Sequence, residues 1–395
     1  MKKIVQASIL SVFLVQPVTS YAAKKIIENH NVGGYIQIGL TTPHTFKAND
    51  EPRPLSMVSP SIAAKTRNAN AIKTADAYLD RFDATTAILL IENGKILYES
   101  YRGKGSPSSE FYSMSIGKSM TSLAVGKALC NGLLSSLDVK AGSLVPELNI
   151  SRLGEATIRQ LLTMSSGAYT SARNGQPKYK NGIGFSVKYN KPFRGHTWPI
   201  RLGQASVSEI LWGKWWREVE NKNTNQPGGI FSYKSNDTLS LSKIVERLSG
   251  KTLAAYYEEH IWSQIGAERD GHWEADREGS TMANAGFQIS LRDWGRLAIW
   301  IVEERAKNDC FGNYLKEATT SQIAVPPRGT SSFSGYGYQW WTKTSLGPGF
   351  YGLGYAGQML AIEPNNEKIL VKFGYRYDPG SGSELIELFR KWNTK

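Results

Sequence analysis

The sequence predicts an α+β fold in which one antiparallel sheet, completed by both ends of the chain, lies against a helical region. Strand-like segments stand near the start and near the end of the chain, and the segments between them have the apolar spacing of helices. A chain of 395 residues with 41% hydrophobic residues has enough apolar surface for a substantial core. We expect a crevice between the sheet and the helices.

The first residues have the features of a secretory signal peptide. Met1-Lys2-Lys3 is basic, residues 4–15 are mostly apolar, and Ser20-Tyr21-Ala22 ends in small residues that suit a signal peptidase. A short membrane anchor is the alternative, but the run is shorter than the roughly 20 apolar residues that span a bilayer. We expect a signal peptide over residues 1–22, a periplasmic or secreted protein, and no stable membrane anchor after cleavage.

After the signal peptide, we expect a turn-rich lead-in over residues 23–75 and a main domain over residues 76–395, with a helical insertion at about 150–325. The domain opens with a hairpin signal, two β-rich runs joined by an Asn93-Gly94 turn. The predicted helices span residues 70–82, 111–129, 156–163, 239–248, 253–261, 291–302 and 383–392, and the later strands span 336–341, 358–362 and 369–373.

Charge and cysteine content limit the function classes. The formal charge is +13, but the basic residues are scattered among aromatic and acidic ones without a Lys/Arg run, so no nucleic-acid partner is expected. Cys130 and Cys310 are far apart and match neither a disulfide framework nor a zinc-binding spacing. Whether they are free or paired stays open, and no metal site is predicted.

Ser115-Ile116-Gly117-Lys118 is the first candidate for catalysis. On a helix, this Ser-x-x-Lys spacing puts the amine one turn from the hydroxyl and on the same face. A serine hydroxyl needs a nearby base, and lysine can serve if burial and the helix N-terminus lower its pKa. The alternative is a helix-capping serine followed by a surface lysine. Ser240 and Lys243 repeat the spacing in a helix interior, so the spacing alone does not decide.

Two distant segments favour Ser115 over Ser240. Tyr233 lies in Tyr-Lys-Ser at a loop-to-helix junction, where a phenol near a lysine can relay a proton. Residues 352–358, GLGYAGQ, form a glycine-rich entry to a strand, and the Gln358 N–H can pair with the Ser115 N–H as an oxyanion hole. A packed loop tyrosine and a simple turn are the alternatives.

Together and in this order, the motifs resemble the class C β-lactamase-like serine hydrolases, which include penicillin-binding peptidases, carboxylesterases and 6-aminohexanoate-dimer (nylon-oligomer) hydrolases. The resemblance covers about residues 80–390 and extends to ATIRQLLTMSSG, YKSNDTLSLSKIVERLSGKTLAAYYEEHIW, AGFQISLRDWGRLA and YGYQWW. It implies a β-lactamase/transpeptidase-like fold with the active site in the crevice between sheet and helices. It also implies an acyl-enzyme on Ser115, with Lys118 and Tyr233 handling the proton. It implies no metal or organic cofactor, and it places Ser240 in a structural helix.

Two departures from the family pattern bear on the substrate. Ser235 stands where β-lactam-binding members usually have Asn, and this form looks more like the nylon-oligomer branch. Tyr355, in a substrate-binding segment with Gly357 and Gln358, stands where a Lys or His usually engages a carboxylate. Losing a charge-assisted bond should weaken binding of anionic substrates by roughly 1.5–3 kcal/mol.

We therefore expect a small-molecule neutral ester or amide as the substrate. The alternatives are β-lactamase or D-alanyl-D-alanine carboxypeptidase activity, or a non-catalytic cell-envelope binding protein of the same fold. The oligomeric state stays open.

Overall fold

A computed structural model describes residues 43–103, 105–168, 200, 205–212, 226–326, 333–344, 349–375 and 381–394. Two antiparallel sheets and the helices around them confirm the α+β class. The signal peptide expected at residues 1–22 lies outside the described residues, and the domain boundaries stay a prediction. Among the helices that are described, none combines the length and apolar character needed to cross a membrane.

The larger sheet brings both ends of the main domain together. The strands are β1 (His44–Phe46), β2 (Thr85–Glu92), β3 (Lys95–Tyr101), β4 (Glu110–Tyr112), β5 (Gly271–Trp273), β6 (Phe287–Ser290), β7 (Ile323–Ala324), β8 (Phe333–Tyr336), β9 (Trp341–Thr344), β10 (Phe350–Gly354), β11 (Gln358–Glu363) and β12 (Lys368–Gly374). The eight strands of the larger sheet follow the order β3-β2-β12-β11-β10-β9-β8-β7, and the smaller sheet has the order β1-β5-β6-β4.

The central strand pair joins the predicted N-terminal hairpin to the last strand. Asn93 and Gly94, with φ of 49° and 71°, make the tight turn between β2 and β3. The register of β2 against β12 pairs Leu89 with Val371 and Ile91 with Ile369. The strands expected at residues 358–362 and 369–373 are β11 and β12, so the sheet is completed as the sequence predicts.

Most of the predicted helices lie within about four residues of the observed ends. The helices are α1 (Pro60–Ala63), α2 (Thr66–Arg81), α3 (Gly117–Cys130), α4 (Ala141–Leu144), α5 (Arg152–Glu155), α6 (Ile158–Leu162), α7 (Val207–Trp212), α8 (Ser235–Ser249), α9 (Leu253–His260), α10 (Leu291–Ala306), α11 (Cys310–Ala318) and α12 (Ser381–Asn393).

The alternation of side chains along β2 divides the core between the two faces of the sheet. Ile88 and Leu90 pack in the cluster that contains residues of α2 and α12, whereas Leu89 and Ile91 face the larger cluster under the helical region. All four side chains are fully buried. Because complete burial of such a side chain contributes about 1.5–3 kcal/mol, both layers hold the sheet firmly.

Two segments differ from the predicted structure. Residues 336–341 do not form one strand, because β8 ends at Tyr336 and β9 begins at Trp341, and Gln339 between them has a φ of 66°. The helix expected over residues 111–129 begins only at Gly117, after strand β4 and a 3₁₀ turn at Met114–Ile116. Pairing of β4 with β6 in the smaller sheet holds the start of this segment in extended form.

Cys130 and Cys310 form a disulfide whose Cα atoms are 5.6 Å apart. The bond joins the last residue of α3 to the first residue of α11, across 180 positions of sequence. Sequence spacing left the pairing of these cysteines open, because nothing in the spacing shows that the two helix ends meet.

Candidate active site

Ser115 lies in the 3₁₀ turn between β4 and α3, half-buried beside β10 and β11 of the larger sheet. The preceding residue, Met114, has a φ of 47°, in the left-handed region that a non-glycine residue adopts at a cost of roughly 1–3 kcal/mol. The Ser113 N–H donates to the Phe287 carbonyl at 2.8 Å, so the smaller sheet secures this sharp turn. The turn therefore places Ser115 directly before the first residue of the buried helix α3.

Lys118 is the immediate neighbour of the Ser115 hydroxyl. Its Nζ lies 3.2 Å from Ser115 Oγ and donates to the backbone carbonyl of Asn284 at 2.9 Å. The side chain is almost completely buried, and this loss of hydration lowers the lysine pKa from 10.5 to about 7. A substantial fraction of the amine is therefore neutral near pH 7, with a lone pair available to accept the serine proton.

Asn284 is a site residue that the sequence reasoning missed. Its backbone carbonyl accepts from Lys118, and its side-chain Nδ2 donates to Ser235 Oγ at 3.1 Å. Thr121 of α3 donates to the neighbouring Ala283 carbonyl at 2.8 Å, so the segment is bonded to α3 at two points. The only available signal was its position, one residue before the segment AGFQISLRDWGRLA that carries the family resemblance.

Tyr233 stands beside Lys118, as the resemblance implies. The Lys118 ammonium nitrogen lies 5.1 Å from the centre of the Tyr233 ring. The ring also stacks on Trp341, with centroids 5.4 Å apart, and it meets Tyr336 edge to face at 6.2 Å. The half-buried tyrosine thus contacts both the lysine of α3 and aromatic side chains of β8 and β9.

The loop that carries Tyr233 is fixed by a buried ion pair. Lys234 Nζ lies 3.1 Å from Asp237 Oδ2, and both side chains are fully shielded from solvent. The Ser166 hydroxyl donates to the other oxygen of Asp237 at 2.6 Å, and Lys234 also donates to the Ser232 carbonyl at 3.0 Å. These bonds connect the two residues that flank Tyr233 to the segment after α6.

The β10–β11 hairpin lies directly against the Ser115 turn. A Cβ atom at Gly354 would fall 2.5 Å from the Ser113 carbonyl oxygen, so only glycine permits this approach of the two backbones. Gln358 opens β11 after the turn Tyr355–Gly357, and its side-chain amide both donates to and accepts from the Gly374 backbone. Gln358, the residue predicted to supply an oxyanion-hole N–H, is therefore firmly held at the start of β11, beside the Ser115 turn.

The remaining predicted binding residues differ in their exposure and in their contacts. Gly357, with a φ of 79°, is half-buried beside Gln358, and the Tyr355 side chain is 58% exposed on the turn. Ser235 begins helix α8 and accepts the hydrogen bond from Asn284. The structure therefore brings Ser235 into the network of Lys118, while Tyr355 faces solvent at the rim.

The second Ser-x-x-Lys pair is organised differently. Ser240 is fully buried inside α8, whereas Lys243 donates to Glu246 at 2.9 Å and to Ser280. Ser240 and Lys243 therefore have no lysine-to-hydroxyl contact of the kind that joins Lys118 to Ser115. Among the described residues, no group of three or more His, Cys, Asp or Glu side chains is arranged to hold a metal ion.

Comparisons with known proteins agree with this architecture. A beta-lactamase family model matches residues 75–374. The 6-aminohexanoate-dimer hydrolase of Paenarthrobacter ureafaciens is 24% identical over 317 residues, which span 75% of this chain and 74% of that protein.

Solved structures have the same fold. A Bacillus anthracis protein described as a candidate 6-aminohexanoate-dimer hydrolase superposes with a TM-score of 0.66 at 22% identity, covering 89% of both chains. An octameric penicillin-binding protein homologue from Pyrococcus abyssi gives 0.60 at 20% identity, covering 81% of this chain and 76% of that one. With a family model that spans most of the chain and neighbours that share its fold, the protein belongs to the beta-lactamase family.

Proposed function

We propose that the protein is a serine hydrolase that cleaves carboxylic esters or amides through an acyl-enzyme on Ser115. The observation that carries the proposal is the contact of Ser115 Oγ with a buried lysine amine, 3.2 Å away, whose pKa is lowered to about 7. A serine needs such a base to act as a nucleophile at neutral pH. Membership of a family of hydrolases supports the same reaction class.

The reaction proceeds in two halves. The neutral Lys118 amine takes the Ser115 proton as Oγ forms a bond to the substrate carbonyl carbon, and the carbonyl oxygen becomes an oxyanion. The backbone N–H groups of Ser115 and Gln358 are the proposed donors to that oxyanion. As the bond to the leaving alcohol or amine breaks, the proton passes to the leaving group from Lys118 by way of Tyr233. Water then attacks the acyl ester with Lys118 as base, and Ser115 is regenerated with release of the acid.

Neutral acyl substrates are the proposed class. Tyr355 supplies no cation where other members of the family engage a carboxylate, so an anionic substrate lacks a charge-assisted bond worth roughly 1.5–3 kcal/mol. Tyr233 and the half-buried Trp341 stacked on it give the site an aromatic surface that suits an apolar acyl group. The named activity of the Paenarthrobacter ureafaciens relative, hydrolysis of an aminohexanoate dimer, supports an amide among the substrates.

The direct test is covalent labelling of the nucleophile. We expect a fluorophosphonate probe to label the wild-type protein and the Ser240→Ala variant alike, since Ser240 does not contact a base. The Ser115→Ala variant should lose labelling and all turnover of short-chain nitrophenyl esters. Labelling that survives Ser115→Ala, as mapped by mass spectrometry of the labelled peptide, would remove the assignment.

Two alternatives have different outcomes in the same assays. A β-lactamase or D-alanyl-D-alanine carboxypeptidase hydrolyses nitrocefin or a D-alanyl-D-alanine peptide at ordinary enzymatic rates, which the proposal does not expect because Tyr355 replaces the cation. A non-catalytic cell-envelope binding protein neither reacts with the probe nor turns over any ester. The lysine contact at Ser115 favours the hydrolase over the binding protein.

We also propose that the mature protein acts in the periplasm or outside the cell. The basic, apolar and small-residue segments of residues 1–22 support export. The disulfide between Cys130 and Cys310 supports it independently, because such bonds persist mainly in oxidising compartments. Fractionation of cells that express the full chain tests this: recovery of the uncleaved protein in the cytoplasm would contradict it.

A further inference from the structure

Gln339 occupies a backbone conformation for which glycine is the ordinary choice. It lies in the turn between β8 and β9 with a φ of 66°, and its side chain is 2% exposed. A non-glycine residue in the left-handed region costs free energy, and burying an amide costs more unless every polar atom is bonded. A long polar side chain at such a position therefore calls for a compensating role.

Both polar atoms of the Gln339 side chain are hydrogen-bonded. Its Oε1 accepts from the Thr238 hydroxyl at 2.8 Å, and its Nε2 donates to the carbonyls of Leu161 at 3.1 Å and Leu162 at 2.9 Å. Both carbonyls belong to the last turn of α6, where the regular i+4 N–H partner of the helix interior is missing. The amide thus joins α8 to the end of α6.

The Gln339 backbone adds a bond to the nucleophile helix. Its carbonyl accepts from the Ser119 hydroxyl at 2.7 Å, and Ser119 directly follows Lys118 in α3. Its N–H donates to the Leu162 carbonyl at 3.0 Å. One residue is therefore bonded to α3, to α6 and to α8.

These are the elements that hold the proposed catalytic groups. Helix α3 carries Lys118, and Thr238 lies one turn after Ser235 at the start of α8, directly beyond Tyr233. The segment that follows α6 is bonded to the same loop, because the Ser232 N–H donates to the Met164 carbonyl at 2.7 Å. Three hydrogen bonds, with short stretches of backbone between them, therefore connect Lys118 to Tyr233 through Gln339.

We propose that Gln339 is a positioning residue that fixes Tyr233 relative to Ser115 and Lys118, and this inference rests on the proposed hydrolase function. Proton transfer between groups on separate elements of the fold depends on their separation, and a displacement of about 1 Å can lower a rate by about 100-fold. The left-handed backbone aims the amide at α6 and α8 while its carbonyl reaches α3.

The test compares variants of the full chain in turnover of a nitrophenyl ester, per active site titrated with a fluorophosphonate. Gln339→Met keeps the length of the side chain and removes the amide, and Gln339→Gly relieves the backbone strain and removes the side chain. We expect kcat to fall at least about tenfold in both, with KM changed less than about twofold, since substrate contacts stay. Thr238→Val should lower kcat in the wild type and have no further effect in Gln339→Met.

Leu385→Ala is the matched control for stability. It opens a cavity in the core under α12, away from the catalytic groups, so it should lower the melting temperature and leave kcat per active site unchanged.

The inference is overturned if folded Gln339→Met and Gln339→Gly both keep the wild-type kcat, or if Thr238→Val lowers kcat equally in both backgrounds. A fall of kcat in Leu385→Ala that matches its loss of stability also overturns it. A wild-type protein that neither labels nor turns over any ester refutes the proposed function, and this inference with it.

Discussion

The chemistry of the candidate site depends on how one lysine is buried. Lys118 is shielded from water by its own helix and by the segment at Asn284, and desolvation alone accounts for the lowering of its pKa to about 7. The amine keeps one hydrogen bond to a backbone carbonyl and faces Ser115 with its lone pair when it is neutral. A single side chain thereby converts an ordinary hydroxyl into a candidate nucleophile.

The pH dependence of the reaction follows from this pKa. Because the base acts only when neutral, kcat/KM should rise with pH through a midpoint near 7 and fall roughly tenfold per pH unit on the acid side. The measurement is kcat/KM for a nitrophenyl ester from pH 5 to 9, with circular dichroism at each pH to show that the protein stays folded. A flat profile over this range would contradict the role of Lys118 as base.

The same burial has a consequence for stability. The lysine pKa is 10.5 when unfolded and about 7 when folded, so between these values the unfolded chain binds more protons and stability rises with pH. Below pH 7 the full cost of burying the amine is present. Lys118→Met should therefore abolish activity and raise the free energy of unfolding at pH 7 by roughly 2–4 kcal/mol, as measured by urea denaturation. Loss of stability in this variant would show that the amine contributes net favourable bonds to the fold.

At the level of single residues, the sequence predicts only part of the site. Ser115 and Lys118 belong to one local motif, and helical spacing is enough to bring them together. The contact of Lys118 with Asn284 spans 166 positions and uses a backbone carbonyl, a group that every residue carries. No side-chain pattern in the sequence predicts such a partner, so only the tertiary structure identifies Asn284.

At the level of elements, the loop before α8 is held in place by two ionisable side chains that are shielded from solvent. The ion pair of Lys234 and Asp237 and the hydrogen bond from Ser166 hold the residues around Tyr233 to the segment after α6. Inside a protein, such a pair is valuable for fixing one geometry more than for net stability. The position of Tyr233, the candidate proton relay, therefore depends on both residues of the Lys234–Asp237 pair.

Removing one half of this pair should be far more damaging than removing both. Asp237→Asn leaves the Lys234 charge buried without its counter-ion, and we expect a loss of about 3–5 kcal/mol in the free energy of unfolding. The double variant Lys234→Met with Asp237→Leu should recover most of that loss, because no charge is then buried. Guanidinium denaturation of the three proteins measures both effects.

The exposed pair of Arg152 and Glu155 has the same i, i+3 spacing and serves as the control. Glu155→Gln should leave stability nearly unchanged, because water already solvates both groups. If Asp237→Asn were as harmless as Glu155→Gln, the Lys234–Asp237 pair would not be the support described above.

Element prediction succeeded where local patterns and packing agree. The Asn93-Gly94 hairpin formed as expected because its turn chemistry matches the twist of the strands. The prediction of one strand at residues 336–341 was wrong. The aromatic composition of this run suits a strand, but Gln339 turns the chain in a left-handed conformation that is usually found at glycine. Tertiary hydrogen bonds to α6 and α8 compensate there for what the local sequence disfavours.

At the level of the whole molecule, the disulfide fastens the far end of the nucleophile helix. Cys130 closes α3 and Cys310 opens α11, so the bond ties the helix that follows Ser115 to the helix pair α10 and α11. It lies thirteen residues beyond Gly117, about 20 Å along the helix from the catalytic end. It is therefore placed to stabilise the fold without taking part in the chemistry.

Breaking this bond should lower stability and leave the reaction unchanged. The closed loop spans 180 residues, for which chain entropy alone gives about 5 kcal/mol as an upper value. We expect a double variant, Cys130→Ala with Cys310→Ser, to melt several degrees below the wild type, while kcat per titrated active site stays the same. The exposed position of Cys310 should let dithiothreitol produce the same shift in the wild-type protein.

Two results would contradict this account of the disulfide. If the wild-type protein from the cell envelope reacted with iodoacetamide at both cysteines without prior reduction, the bond would not be formed there. If kcat of the double variant fell in proportion to its melting temperature, loss of the disulfide would affect Ser115 through α3. The disulfide would then contribute to the geometry of the proposed catalytic groups as well as to stability.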